Sequence, residues 1–414
     1  MTHTPPQSAP PSAHRLSLLE FVVLVALLFS TVAFSIDAML PALPEIAGEL
    51  TPANPNRAQL ILTSFVFGMG LGTFVAGPLS DRLGRRAVII GGAALYCVGA
   101  LVAWQADSLE AILAARLVQG LGAAGPRIVT IAMLRDLYAG RQMARIMSIA
   151  MIVFALVPAV SPALGAVIIG FAGWRSIFLA FLLFAAVSVG WLWLRQPETL
   201  PLSARRPLAP RALLASAREV VAHPVVRISV AAQGLVFGAM FGTLSSVQQL
   251  FDQTYGRGDS FPLWFALIAG LAGMASMINA SLVVRLGMRR MARGSLALQV
   301  AMSGTMAVLT ATGVVPAGLA FPVFMIWMVG VFFMVGLTLG NINALAMEPM
   351  GHIAGMAASV TSSLATVMGV LIAAPVGLAF DGTALPLSAS VAVLALLAFL
   401  LLGRLPHSGP PARL

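Results

Sequence analysis

Asp37, Arg116 and Arg127 are ionisable side chains that stand well inside long apolar runs of this sequence. A charge at bilayer depth is costly, so each is a functional candidate by default. An aspartate there can take up and release a proton. An arginine stays charged, and so acts as a fixed cation that governs a nearby carboxylate or holds an anion. At 1.5 Å per residue, Asp37 lies ~9 Å from the end of its run and Arg116 ~10 Å from the start of its own. An odd-numbered run ends on the face where an even-numbered run begins, so the two are matched in depth. We expect an Asp37–Arg116 pair, which would lower the cost of burying either charge and serve proton coupling. Arg127 follows Arg116 by 11 residues, within ~20° of the same helical face. Gly120 and Ala123 lie between them, a small cationic stripe suited to the wall of a water-filled cavity. Pro126 is expected to perturb the helix at that point. Glu20, near the other end of the first run, is the next acid in line.

Other chemistries are poorly supplied. The five histidines (His3, His14, His223, His352, His407) fall in expected tails or loops, which leaves no intramembrane metal site or histidine relay. No nucleophile–base pairing is visible, so an enzyme is not expected. Lysine is absent, so no Walker-type nucleotide loop can be present. The energy source is then an ion gradient, and no metal or cofactor is called for.

The elements that must position these residues are membrane helices. The chain has 414 residues, 59% of them hydrophobic and 9% charged, with a mean hydropathy of +0.96. Soluble domains run nearer half apolar and a quarter charged. Each span needs roughly 20 apolar residues, which gives twelve spans here, beginning at 17–43, 57–79, 87–105 and 109–134. The runs are too long and too uniformly apolar for barrel strands, so the fold class is all-α. Residues 1–16 form an expected disordered tail, and the long first run argues against a cleaved leader. Residues 17–195 and 225–404 make two six-helix bundles, joined by a linker over 196–224 and followed by a short tail over 405–414.

All 24 basic residues are arginine and the net charge is +10. They crowd into alternate loops, so the charge reads as topology and not as nucleic-acid binding. Arg57, Arg175 and Arg257 alone occupy the opposite set. The arginine-rich face is then cytoplasmic, with both termini inside. Absence of lysine suits a G+C-rich, bacterial coding sequence, and hence a multi-pass protein of the inner membrane. Cys97 reads as a small packing residue.

The ten residues from Gly77 to Arg86 (GPLSDRLGRR) stand between two apolar runs and hold four charges. They read as a tight turn. Arg82-Leu83-Gly84-Arg85-Arg86 recurs as Arg285-Leu286-Gly287-Met288-Arg289-Arg290, a shift of 203 residues from Arg82 to Arg285. Val284 replaces Asp81 in the copy. The spacing G-x-x-x-D-R-x-G-R-R resembles the loop 2–3 signature of the major facilitator superfamily. Asp37-Ala38-Met39-Leu40-Pro41-Ala42-Leu43-Pro44 resembles the first-span signature of bicyclomycin-resistance-type drug:proton antiporters. Arg116-Leu117-Val118-Gln119-Gly120 is similar to the superfamily's R-x-x-Q-G signature. Val157 to Ala166 (VPAVSPALGA) is similar to the antiporter motif of span 5 through Pro158, Pro162 and Gly165, with Ala159 and Ala166 where glycine is usual. Trp174-Arg175-Ser176-Ile177-Phe178 and Pro197-Glu198-Thr199-Leu200 resemble the same subgroup.

The resemblance implies two parallel six-helix repeats with the cargo site between them near the midplane. It also implies proton-coupled export of drugs or other apolar or cationic small molecules by a monomer whose partners are cargo, protons and the bilayer. Another small solute, such as a sugar, organic anion or metabolite, is the alternative. Gly77, Asp81, Arg82, Gly84, Arg85 and Arg86 would form a conformational gate, with Asp81 facing the start of span 11 near Gly351 to Gly355. Arg127, Gln119, Phe237, Phe241, Trp327 and Asn341 are the cavity candidates. Their types suit an adaptable, mostly apolar pocket.

Overall fold

The computed structural model describes residues 16–205 and 210–405. The expected tails, save Leu16 and Leu405, lie outside these residues. Among them no strand occurs, as lipid demands of a chain that must satisfy every backbone polar group within its own helices. The first half holds α1 (Leu18–Asp37), a short α2 (Leu43–Leu50), α3 (Leu60–Leu83), α4 (Arg85–Trp104), α5 (Leu109–Leu137), α6 (Gly140–Ala172) and α7 (Ser176–Arg195). After α8 (Pro210–Ala222) come α9 (Pro224–Gln249), α10 (Phe261–Leu286), α11 (Met288–Thr312), α12 (Ala317–Met347), α13 (Ala354–Leu378) and α14 (Leu385–Gly403). Eleven segments are long and apolar enough to cross a membrane. One of them, Ala317–Leu378, is α12 and α13 in sequence, parted at Met350 (φ −111°, ψ 20°). Divided there, the segments make twelve membrane-length helices.

The internal repeat is written in the backbone as well as in the residues. Gly84 has φ 104° and Gly287 has φ 82°, a conformation in which a side chain would be strained. Each is the single hinge residue between two membrane-length helices. The arginine two positions on then reaches the last helix of its half. Arg86 donates to the Trp193 carbonyl near the end of α7. Arg289 donates to Leu402 O at 3.1 Å and Gly403 O at 2.8 Å at the end of α14. Both satisfy carbonyls that a helix C-terminus leaves open.

One expectation is corrected here. The stretch from Gly77 to Arg86 is not a ten-residue turn: α3 runs through Pro78 to Leu83, α4 starts at Arg85, and the turn is Gly84 alone. The charges sit beyond the apolar core, where water tolerates them without ending the helix. The linker over 196–224 contains α8, whose Ala217 and Val220 pack on Val226, Met350, Ala357 and Val360. Eight of its thirteen residues are Ala, Leu or Val, with Arg211 and Arg218 among them.

The halves meet along two pairs of helices, α3 with α13 and α6 with α10. At the arginine-poor end they are also hydrogen-bonded. Asn56 Nδ2 donates to Leu378 O (3.1 Å) and Phe380 O (2.7 Å), and Gln249 Nε2 donates to Asn56 Oδ1 (3.2 Å). Gln59 donates to Gln249 and accepts from Ser246. At mid-depth Ser363 Oγ donates to Gly70 O at 2.7 Å. Among the described residues, no hydrogen bond joins the two halves at the arginine-rich end, and α5 packs on α1, α3 and α4 of its own half. The described hydrogen bonds between the halves are thus confined to the arginine-poor end and mid-depth, while nearer the arginine-rich end α3 still meets α13 where Gly77 faces Ser359.

Candidate transport site

Asp37 is the last residue of α1, and its side chain is buried. Neither an ion pair nor a hydrogen bond engages its carboxylate among the described residues. The expected Asp37–Arg116 pair is therefore not formed in this state. Arg116 is fully buried, but its guanidinium is spent on other partners. Nη2 donates to Ser35 O at 2.9 Å, Nη1 to Gln119 Oε1 at 2.7 Å and Nε to Ile61 O at 3.4 Å. Its carbon lies 4.2 Å from the centre of the Phe65 ring. The matched depth was read correctly, since Ser35 is two residues from Asp37. The error was in the acceptor: a helix end leaves carbonyls open, and the fork of Arg116 takes one of them in place of the carboxylate. Ser35 Oγ also bonds Tyr96, so α1, α3, α4 and α5 are tied at this level.

Directly beyond Asp37, α6 crosses α1. A Cβ on Gly165 would collide with the Ala38 carbonyl oxygen and lie 3.1 Å from Ala38 Cα. The antiporter-like motif thus touches the backbone beside the candidate proton carrier. Pro158 and Pro162 lie within α6, which continues through both. Pro126 likewise leaves α5 unbroken.

The gate residues form a charged knot at the arginine-rich end. Arg85 Nη1 pairs with Asp81 at 2.5 Å and donates to Ser80 Oγ at 2.7 Å, while its Nε pairs with Asp136 at 3.0 Å. Asp81 is therefore engaged by Arg85. Gly77, one turn earlier on α3, faces Ser359 of α13, where a Cβ would lie 3.2 Å from Ser359 Oγ. Arg82 is exposed. Sequence reasoning missed the part played by Glu198. Its Oε1 accepts the backbone N–H groups of Arg85 (2.9 Å), Thr199 (3.0 Å) and Leu200 (3.0 Å), and its Oε2 that of Arg86 (3.1 Å). Gly84 offers no side chain to cap α4, and a carboxylate from beyond α7 takes that place. The Pro-Glu-Thr-Leu motif was a signal, but its partner lies over a hundred residues upstream.

The cavity candidates scatter. Gln119 is buried beside Arg116, with its Nε2 unpartnered. Trp327 Nε1 donates to Ser303 Oγ at 2.9 Å between α12 and α11. Asn341 Nδ2 donates to Asn279 Oδ1 at 2.6 Å and ties α12 to α10. These three work inside their own bundles. Phe237 and Phe241 stack with centroids 5.7 Å apart, and Phe237 is half-buried. Arg127 is also half-buried, and its one described partner is Met69 Sδ at 3.3 Å.

Comparison with known proteins places the chain among membrane transporters. The bicyclomycin resistance protein homolog of Haemophilus influenzae is 30% identical over 377 residues, covering 89% of this chain and 91% of that one. A chloramphenicol resistance protein of Pseudomonas aeruginosa is 38% identical over 190 residues, 45% of this chain and 44% of its own. Among solved structures, a D-xylose-proton symporter superposes with a TM-score of 0.76 over 94% of this chain and 98% of its own, at 13% identity, a likeness of fold alone. The Major Facilitator Superfamily model matches residues 24–375, and the chain belongs to that family: it is a multi-pass membrane transporter and not an enzyme.

Proposed function

We propose that this transporter exports small, largely apolar drug-like molecules in exchange for protons, with Asp37 as the principal proton carrier. The observation that carries the reading is a carboxylate buried at membrane depth with no described partner, where a charge is costly and a functional role is the default. The names of the bicyclomycin and chloramphenicol resistance relatives support a drug cargo. By the arginine distribution, the end that lacks hydrogen bonds between the halves faces the cytoplasm of a bacterium, both termini lie inside, and we read the state as inward-facing. In that state Asp37 is neutral and Arg116 is released to the Ser35 carbonyl. The proton leaves inward as cargo binds. The cycle reverses when the outer end opens, and Asp37 is reprotonated as cargo departs. The carrier works as a monomer and needs no cofactor beyond the proton gradient. The charged knot around Arg85 and the Gly77–Ser359 contact bias the inner opening.

The test is resistance profiling in a pump-deficient bacterial strain, with chloramphenicol and bicyclomycin among the compounds, followed by reconstitution in proteoliposomes under a pH gradient. Asp37→Asn is expected to abolish gradient-driven export and proton release on cargo addition while leaving binding of neutral cargo intact. Uphill export by Asp37→Asn with a normal pH dependence would place coupling elsewhere, with Glu20 next.

A further inference from the structure

We infer that Arg127 is an anion-binding subsite, and that the cargo includes amphiphiles that carry a carboxylate or a similar anionic group on an apolar body. This rests on the reading of the protein as a small-molecule exporter and narrows its cargo. Arg127 is the nineteenth of the 29 residues of α5. It therefore sits ~27 Å from the first residue of that helix and ~15 Å from the last, near the middle of a bilayer.

No described acid can neutralise it there. Every carboxylate of the membrane-length helices lies within three residues of a helix end. Asp37 is level with Arg116 through Ser35, and Arg127 is 11 residues, ~16 Å, further along α5. At the other end, Glu20 is engaged by Arg195 at 2.9 Å and by Trp191 at 3.1 Å. Asp136 is held by Arg85 and Thr199, each at 3.0 Å. The second half contributes no ionisable residue to the interior of its spans from Ile228 to Phe251, Pro262 to Val284 or Gly294 to Met347.

What Arg127 does have is a thioether, a weak acceptor that leaves the guanidinium charge uncompensated. Its neighbour on α3, Gly70, is the residue that bonds Ser363 of α13, so Arg127 stands close to the seam between the halves. The helix that carries it, α5, packs on α1, α3 and α4 of its own half and has no main contact with the second half. A guanidinium that is half-buried, near the midplane and short of acceptors presents a fork fitted to a carboxylate. Stacked Phe237 and Phe241 and the methionine-rich second half offer apolar surface for the remainder of such a molecule.

The proposal also fixes the charge moved per cycle. Export of a monoanion against entry of one proton carries two positive charges inward. A neutral cargo carries one, and a monovalent cation carries none.

The test uses two matched probes, 1-naphthylacetate and 1-naphthylacetamide, with the full chain in lipid nanodiscs and no proton gradient. Bound probe is measured by equilibrium dialysis. The wild type is expected to bind the carboxylate about 10- to 100-fold more tightly than the amide. Arg127→Gln should collapse that ratio to about one, and Arg127→Lys should restore part of it. As a check free of variants, 1-naphthylacetate should protect Arg127 of the wild type from phenylglyoxal, read by mass spectrometry, and the amide should not. Equal binding of the two probes, no binding of the carboxylate, a preference that survives Arg127→Gln, or absence of protection would each overturn the proposal. Repeating the binding in Asp37→Asn separates the readings. A preference retained there, with proton exchange absent in the wild type, keeps the anion subsite and removes antiport. Proton-driven export of neutral cargo without any preference does the reverse.

Discussion

Arg116→Lys separates two roles for the fully buried arginine of the first half. If Arg116 acts on Asp37 as a point charge, lysine is an adequate replacement. If it acts as a fork, lysine fails. The structure supports the fork. Two bonds of good length, to Ser35 O at 2.9 Å and Gln119 Oε1 at 2.7 Å, diverge from separate nitrogens, while the planar group lies 4.2 Å from the centre of the Phe65 ring. A lysine ammonium has one nitrogen on a flexible stem and cannot keep both acceptors and the stacking together. Losing one buried, charge-assisted bond, and leaving its acceptor unsatisfied, costs about 1.5–3 kcal/mol. With the weakened stacking, the sum is about 2–4 kcal/mol. At roughly 2–4 °C per kcal/mol for a six-helix half of this size, the apparent Tm in detergent, followed by tryptophan fluorescence, should fall by about 4–16 °C. Export measured well below that temperature should retain its pH dependence, because the coupling carboxylate is untouched. A lysine variant as stable as the wild type would refute the fork, and a lysine variant of normal stability with a displaced pH profile would favour the ion pair.

Glu198→Gln keeps one acceptor oxygen but turns an amide NH2, a donor, toward the Arg86 N–H and removes the charge at the start of α4, a loss of about 1–3 kcal/mol. Hydrogen exchange at the amides of Arg85 and Arg86 should quicken about 5- to 100-fold with global stability little changed, and unaltered exchange would show that the carboxylate does not cap α4. Gln249→Ala removes the bonds to Gln59 and Asn56 at the arginine-poor end, worth about 1–3 kcal/mol together. A cysteine replacing buried Ser245 should then become open to an impermeant maleimide added from the arginine-poor side; labelling as slow as in the parent would exclude a latch.

The fold was legible because lipid leaves few options. Apolar length counted the spans, and the doubled R-L-G stretch gave their pairing into halves. That repeat proved to encode the hinge glycines and the arginines that reach the ends of α7 and α14. The site was legible as a set of depths and not as a set of partners. Asp37 and Arg116 do lie level, as the 1.5 Å rise required, yet the sequence has no way to say whether a guanidinium meets a carboxylate or a backbone carbonyl beside it. Gln119, Trp327 and Asn341 were chosen by type, and type does not report which way a helix is turned about its axis. Glu198 and the Gln59–Gln249 latch join residues 113 and 190 positions apart, a separation no local spacing rule spans.

The two halves share a backbone plan but divide the chemistry. Charge at membrane depth belongs to the first half, and the second supplies apolar and amide side chains. This places the burden of coupling on the contacts that leave the first half. Asp37 ends α1, Ala38 follows it, and Gly165 of α6 rests on the Ala38 carbonyl with no room for a methyl group. In turn, α6 is one of the two helices through which the first half packs along the second, the other being α3. Ser35, held by Arg116 and Tyr96, fixes the same turn of α1 from the opposite side. A change of charge at Asp37 therefore acts on a junction clamped toward α5 on one flank and pressed against α6 on the other. The flank toward α5 is polar and rigid, and the flank toward α6 is a bare glycine contact with no hydrogen bond among the described residues. Movement at this junction meets less resistance on the α6 side, which is the side that reaches the second half.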